Sequence, residues 1–410
     1  MVTTMRLRQA DRLEAAIGKR FVLPPGAAAR DLSVTEDALV DFALSTGDLN
    51  PLYVDLAVAS ASRSGALVPP LMWYSKVVQP NLGVGALTKS TWAASVDYPD
   101  GAPPPPGTDD DTGAPDFWID GLRALNRSTG FTFRRAPRFG EPISISGQVT
   151  SVQHKISRRL GPMAIVTAET EYAAPSGDVL VAGEGSSFVY DIEGVASSYA
   201  GPTTPPQGES TRTRDVVSPL KAMSSAVLRG EQPRYWDDVS IGEQLPDLFK
   251  GTLDHTEIAC FSVREGVDPR ADELIREARR LLRAGEGLEA AALYRRVAGT
   301  PEFGFGVERH LDTAQARTEG MPGAYDIGLN RAAWAVQAVT NWMGYDGILR
   351  QLDVELRGAV IVGDSLWCRG VVDCREVRDG EHVVGVELFV ENQRGDRVAK
   401  GSAVVSLPAR

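Results

Sequence analysis

Four short signals recur in the same order in the two halves of this chain, and that recurrence constrains its fold more than any other feature. Ile17-Gly18 opens IGKRF and Ile241-Gly242 opens IGEQL, while Phe42 to Gly47 reads FALSTG and Phe261 to Gly266 reads FSVREG. Gly140-Glu141 begins GEPISISGQV and Gly363-Asp364 begins GDSLWCRGVV. Gly177-Asp178 in SGDVLVAGEGS is answered by Gly395-Asp396 in RGDRVAKGS. Measured between the glycines, the offsets are 224, 219, 223 and 218 residues. Near-equal offsets in one order predict a tandem duplication of one unit of roughly 180–190 residues.

A fifth match locates an insertion. Asp55-Leu-Ala57-Val-Ala59 resembles Asp312-Thr-Ala314-Gln-Ala316 at an offset of 257, against 219 just upstream, so the second copy carries 38 extra residues between Gly266 and Asp312. Within them, Leu274, Ile275, Ala278, Leu281 and Leu282 have helical spacing. Gly285 and Gly287 mark a turn, and Leu288, Ala291, Leu293, Tyr294 and Val297 form a second apolar stripe. This predicts a helical hairpin over about 270–300. The organisation expected is a first unit over 1–194, a Pro/Ser/Thr-rich linker over 195–232, and a second unit over 233–410 that holds the hairpin. A further polar stretch, Tyr98 to Asp116, has a Pro run and three consecutive aspartates and reads as an exposed loop.

Inside each unit, helical signals precede alternating ones. Ser33-Val-Thr-Glu36 and Asp254-His-Thr-Glu257 have capping-box spacing ahead of ALVDFALSTG and IACFSV. A longer apolar helix follows, over Gly328 to Gly344 in the second copy and from about Leu71-Met72-Trp73 in the first. Then come strand-like blocks: ISISGQVTSV, AIVTAETEYAA and VLVAGEGSSFVY, matched by LWCRGVVDC, HVVGVELFVE and RVAKGSAVVSL. Helices followed by an antiparallel meander define an α+β unit.

Charge excludes several functions. Lys+Arg total 43 against 54 Asp+Glu, a net charge of −11, which argues against nucleic acid as a partner. No apolar run reaches the roughly 18–20 residues of a membrane span, and the N-terminus lacks the apolar core of a secretory signal, so a cytoplasmic protein is expected. Three cysteines without a CxxC pair give neither a disulfide framework nor a zinc site. No metal-ligand cluster or nucleotide-binding glycine pattern appears, so no metal or cofactor is expected.

The segment STGDLNPLYVDLAVASA, with VPPLM soon after, resembles the signature of the MaoC-like hydratase/dehydratase family, G-D-x-N-P-x-H-x-D followed by a small-residue turn. The resemblance implies a hot-dog fold, a long helix wrapped by an antiparallel sheet, and in a duplicated chain a double hot-dog whose halves pair as an internal pseudo-dimer. It also implies reversible hydration of a trans-2-enoyl thioester to its 3-hydroxyacyl form, carried by coenzyme A or an acyl carrier protein. That chemistry needs a carboxylate and an imidazole to hold one water and move its proton. It also needs a backbone N–H at a helix start to meet the charge developing on the thioester oxygen.

Carried over residue by residue, the motif is divided between the halves. In the first, Asp48 matches the acid and Asn50 the supporting Asn, but Tyr53 replaces the His and Pro70 stands where the Gly amide belongs. A phenol, with its ordinary pKa near about 10, is a poor base, and proline has no N–H. In the second, His310 matches the His, Asp312 follows it as in H-x-D, and Gly328 matches the Gly before the central helix. Phe305 replaces the acid, and Asp268 in EGVDP is the nearest upstream carboxylate, brought back if the insertion closes on itself. The resemblance thus implies His310 as acid/base, Asp268 as its partner on water and the Gly328 amide as oxyanion donor. Asp48, Asn50, Tyr53, Asp312 and Trp334 are candidate acyl-site residues.

Arg134, Arg135, Arg138, Lys155, Arg158 and Arg159 form a basic cluster in an acidic chain, a candidate dock for the phosphates of coenzyme A or phosphopantetheine, with Arg158 and Arg159 as its nearest substrate contacts. Homodimerisation and carrier-protein docking are the assembly expectations. The broken Asp/His pair leaves two alternatives open: a repurposed cyclase or isomerase on a polyketide-like substrate, and a non-catalytic acyl-binding scaffold.

Overall fold

The computed structural model describes residues 7, 10–18, 20–23, 35–65, 67, 69–70, 72–74, 122–137, 140–158, 160–191, 195, 217–263, 269–300 and 308–410. Ten strands form one antiparallel sheet in the order β1-β3-β4-β5-β2-β7-β10-β9-β8-β6. The first-half strands are β1 (Arg20–Leu23), β2 (Leu122–Phe133), β3 (Ser144–Ser157), β4 (Gly161–Ala173) and β5 (Val179–Asp191). The second-half strands are β6 (Leu248–Thr252), β7 (Ile348–Leu356), β8 (Ser365–Arg378), β9 (Glu381–Asn392) and β10 (Arg397–Ser406). The order reads alike from either edge, β1 answering β6, β3 answering β8, and so inward to β2 against β7. That central pair joins the halves, with Ser128 opposite Glu355 and Thr132 opposite Gln351.

The duplication reaches local detail. The β3–β4 register slips between Val149 and Ser151, and the β8–β9 register slips between Val372 and Cys374, at positions 223 residues apart in both cases. Gly18 N–H donates to Val149 O at 2.8 Å, and Gly242 N–H donates to Val372 O at 2.8 Å. Both glycines have positive φ, 78° and 85°, which explains why Ile-Gly recurs at the start of each unit. Asp55 and Asp312 each accept two amides at the N-terminus of a short helix, α3 (Leu56–Ala61) and α9 (Thr313–Thr318). Across the second of these paired features Tyr53 and His310 are equivalent, both two residues before the capping aspartate.

The other described helices are α1 (Ala10–Glu14), α2 (Glu36–Thr46), α4 (Pro219–Met223), α5 (His255–Cys260), α6 (Pro269–Arg283), α7 (Gly287–Ala298), α8 (Glu308–Leu311) and α10 (Gly328–Met343). The N-cap of α2 is Thr35, which accepts Ala38 N–H at 3.2 Å, rather than the expected Ser33, which lies outside the described residues. Asp254 caps α5 as the spacing predicts, accepting Glu257 N–H at 2.7 Å. The central helix α10 is buried along its length from Leu329 to Met343 and lies on the second-half strands, where Val339, Leu352, Val386 and Val390 share one core. The first-half helix expected from Leu71 lies largely outside the described residues.

α6 and α7 form the hairpin, and its charges fix where it lies. Arg279, 5% exposed at its side chain, pairs with Asp41 at 2.7 Å and with Asp37 at 3.1 Å, both on α2. Arg283 pairs with Glu36 and Asp37, and Arg295 of α7 pairs with Glu257 of α5. The insertion from the second half therefore bridges a first-half helix and a second-half one. Ala278, Leu282, Ala290 and Tyr294 bury its inner face against Val40, Ala43, Leu44 and Cys260.

The segment expected to be a linker is docked over its described part. Val217 O accepts Thr252 N–H at 2.8 Å, Met223 of α4 packs on Gly47, and Arg229 N–H binds Asn341 O at 2.9 Å. Residues 196–216 of that linker, and the loop expected over 98–116, lie outside the described residues. Among the described residues no helix is long and apolar enough to cross a membrane.

Candidate active site

His310 sits on the short α8, buried at 9% exposure. Its Nδ1 lies 3.0 Å from Tyr325 O, and its ring lies 4.3 Å from the Tyr325 ring. A carbonyl only accepts, so Nδ1 carries a proton and Nε2 is the ring's basic nitrogen in the neutral form. Tyr325 stands three residues before α10, so one anchor links the imidazole to the start of the central helix. Asp326 fixes the same turn: Arg331, 3% exposed at its side chain, binds it with two bonds of 2.7 and 2.6 Å and also donates to Gly358 O and Val398 O.

Gly328 is the first residue of α10, where amides have no partner within the helix. Gly328 and the neighbouring Ile327 are half-buried, so this helix start is reachable from solvent. A Cβ on Gly328 would fall 2.3 Å from Leu356 Cδ1 and 3.6 Å from the Cβ of Asn126 on β2, a first-half strand. Asn330, the third residue of the helix, is buried, and its Oδ1 has no partner among the described residues.

Asp268 and Arg159 lie outside the described residues, as does Phe305. Asp312 caps α9, its Oδ1 taking Ala314 N–H at 2.6 Å and Gln315 N–H at 3.2 Å. Trp334 is 1% exposed, its indole N–H donates to Thr46 O at 3.2 Å, and it packs in the core.

The equivalent position in the first half holds different chemistry. Asn50 Oδ1 caps a 3-10 turn over Pro51–Tyr53 by accepting Leu52 N–H at 3.0 Å. Asp48 is buried, with Oδ1 3.4 Å from Asn50 N and 3.4 Å from Gln337 Nε2. Burial raises its pKa to about 6, and the Lys250 charge limits the rise. Lys250 is itself buried, donating to Gln337 Oε1 at 2.9 Å and to Thr46 O at 3.1 Å, and burial lowers its pKa. Tyr53 is pushed far above the ordinary phenol range by burial and then by the Asp48 charge, so it cannot serve as a base near neutrality.

Tyr53 lines a cavity of about 80 Å³ with Leu52, Ser64, Tyr74, Phe133 and Met343. Met343 ends α10 and Gly328 begins it, so this cavity and the His310 end lie at opposite ends of a 16-residue helix, roughly 24 Å apart. Lys250 and Gln337 escaped sequence reasoning. A lysine at an inward position of β6, in phase with Leu248, was the available signal.

The basic cluster is not one patch. Phe133, Val181, Tyr172 and Ile145 lie level across the sheet, which puts Arg134 and Arg135 at that end. Lys155 and Arg158 lie at and just past the other end of β3, ten and thirteen residues from Ile145, or about 33–43 Å away. Arg135 is taken up by Glu141 at 2.9 Å. Arg158 is exposed beside the β3–β4 turn, whose Leu160 packs on Gly320 just after α9. Among the described residues of the cluster, Arg158 thus lies on the side of Gly320, while Arg134 O accepts from Arg350 of β7 at 3.2 Å at the other end. Among the described residues no group of acidic, His and Cys side chains is arranged to hold a metal.

Known proteins agree with this architecture. A family model described as a FAS1-like dehydratase domain region matches residues 25–182. No curated protein matches the chain in sequence. A solved MaoC-like dehydratase superposes with TM-score 0.58 at 15% identity, covering 97% of this chain and all of that one. A MaoC domain protein described as a dehydratase, from Chloroflexus aurantiacus, gives 0.54 at 12% identity over 96% of each chain. A conserved hypothetical protein from Mycobacterium tuberculosis, described as a double hotdog fold, gives 0.51 at 10% identity over 96% of this chain and 97% of that one. The fold is therefore an α+β tandem hot-dog, two helix-and-sheet units in one chain.

Proposed function

We propose that this protein is an acyl-thioester hydratase/dehydratase that interconverts trans-2-enoyl and 3-hydroxyacyl thioesters at the second-half site. The observation that carries the reading is the His310–Tyr325 anchor, which leaves Nε2 as the basic nitrogen and ties it to the turn that starts α10. As water's oxygen bonds to C3, one of its protons passes to Nε2. The enolate-like thioester oxygen meets the Gly328 amide at the helix start. A proton then returns to C2, so the elements of water are added and the base is regenerated. Asp268 is the proposed partner on the water. The matched dehydratase region and the tandem hot-dog likeness support the reaction class.

The first half is assigned no chemistry, because Tyr53 cannot act as base and Pro70 offers no amide. Its cavity and the buried Asp48, Asn50 and Tyr53 belong to the shape of the acyl-binding interior in this reading. The thioester would be presented by coenzyme A or a carrier protein, with the Lys155–Arg158 end of the sheet on the side of its phosphates. The test is loss of enoyl-thioester absorbance on adding protein to a short trans-2-enoyl-CoA. His310→Ala should lower that rate by about 10²–10⁴-fold. An unchanged rate would remove His310 from the reaction.

A further inference from the structure

The division of the basic cluster leaves Arg134 and Arg135 at the opposite end of β3 from Arg158, beside a cavity of about 80 Å³. Its floor is buried and made by Tyr53, Tyr74, Phe133 and Met343, and its rim includes exposed Arg135 and half-buried Arg350 and Ser64. The floor is braced. The Tyr74 ring lies 6.1 Å from that of Phe133 and 5.2 Å from that of Tyr172, whose hydroxyl donates to Tyr74 O at 3.3 Å. An apolar, preformed hollow with a few polar groups at its mouth is the usual make-up of a small-molecule site.

The duplication supplies the counterpart of this hollow. Tyr53 stands where His310 stands in the second unit, and Phe133 closes β2 as Leu356, the side chain nearest the Gly328 position, closes β7. Since β2 and β7 run antiparallel, with Thr132 opposite Gln351 and Ser128 opposite Glu355, the two places lie at opposite ends of one seam. A single acyl chain joining them would have to run the length of α10, which is buried from Leu329 to Met343.

We infer that the first-half cavity is a second acyl-thioester site, which seats a short acyl end without turning it over and sets the phosphates of its coenzyme A against Arg134 and Arg135. The inference rests on the hydratase reading and deepens it: the acyl-binding interior of the first half holds a ligand of its own instead of the far end of the chain at His310. At about 80 Å³ the cavity has half the roughly 150 Å³ that admits a benzene ring, so it suits a chain of a few carbons. Glu141 and Glu381 hold Arg135 and Arg350 in place, and Arg350 donates to Arg134 O at 3.2 Å, which ties exposed Arg134 to the rim. Guanidinium groups suit phosphate oxygens. With no base at Tyr53 and no amide at Pro70, the thioester held there stays unchanged.

Isothermal titration with butyryl-CoA, which has no double bond to hydrate, counts the sites. The wild-type protein should bind two equivalents per chain. Ser64→Trp, which places a large ring at the rim, should bind one. Arg134→Glu, an exposed change, should weaken one equivalent about fivefold, the size of an exposed ion pair, and leave the other as it was. Melting curves check that both variants fold, and if Ser64→Trp does not, Arg134→Glu decides alone. One equivalent in a wild-type protein that hydrates trans-2-enoyl-CoA overturns the inference while the reaction stands. Two equivalents, of which folded Ser64→Trp loses one, uphold the second site even if no enoyl thioester is hydrated, and the reaction assignment then fails by itself. Two equivalents in folded Ser64→Trp, unaltered binding by Arg134→Glu, or no binding at all each overturns the inference.

Discussion

Asp48 allows a prediction whose sign and size both follow from its surroundings. Its carboxyl is buried beside Gln337 and within reach of the Lys250 charge, and its pKa stands at about 6 in the folded protein against 3.8 for the free side chain. A carboxyl with a raised folded pKa contributes stability in full below its unfolded value. That contribution is lost as the pH rises through the folded value. The window here runs from about pH 4 to pH 6. A gap of about two pH units is worth roughly 3 kcal/mol, which is what the ionised carboxylate costs the folded state above pH 7. Asp48→Asn keeps the shape and removes the charge. It should therefore stabilise the protein by about 3 kcal/mol at pH 8, a rise in Tm of roughly 5 °C, and by less than about 1 kcal/mol at pH 4. The assay is thermal or urea unfolding of both proteins at pH 4, 6 and 8. A variant equally stable relative to wild type at all three pH values would refute the reasoning. A variant destabilised at pH 8 would show that the Lys250 pairing outweighs burial.

Three further outcomes follow from the same geometry. Gly18→Ala and Gly242→Ala should each cost about 1–2 kcal/mol, because both sites hold positive φ with open space around the missing Cβ, so only backbone strain is added. Chemical denaturation of the two variants checks it, and a large difference between them would break the equivalence of the two units. Asp41→Ala should cost about 3 kcal/mol by removing the carboxylate that takes two bonds from the buried Arg279, and protease nicking of the hairpin should accelerate in step. Tyr53→His should create no second hydration activity, since Pro70 still supplies no amide, and a doubled rate would contradict the division of labour between the halves.

Much of the architecture was legible because repetition survives where geometry demands particular residues. Gly18 and Gly242 persist because each turn takes positive φ, and Asp55 and Asp312 persist because each closes the first turn of a helix. The strands β3, β4, β5 and their counterparts β8, β9, β10 were readable from alternation. The joining strands β2 and β7 were not. LRALNRSTGFTF and ILRQLDVEL mix polar residues into both faces, because they meet the other half instead of a uniform core.

The candidate site was legible in part for the same reason. His310 and Gly328 are local motif residues, so the sequence carries them. Tyr325 matters only through its contact with His310, fifteen residues back in the same half, and no motif spacing along the chain records it. Asp312 stood out by motif position and Trp334 as an aromatic on the central helix, and the hydrogen bonds that tie one to a helix cap and the other to the end of α2 are not written in any spacing. The basic residues near Arg134 and near Arg158 are close in sequence but separated by the length of β3.

The central claim is that one half of a duplicated chain moves the proton while the other half shapes the site. Its most direct test is the fate of labelled oxygen when a trans-2-enoyl-CoA is incubated in H₂¹⁸O with wild type, His310→Ala and Tyr53→Phe proteins, read by mass spectrometry of the 3-hydroxyacyl product. The account predicts label at C3 with wild type and with Tyr53→Phe, and none above background with His310→Ala. Label undiminished in His310→Ala, or lost only in Tyr53→Phe, would contradict it.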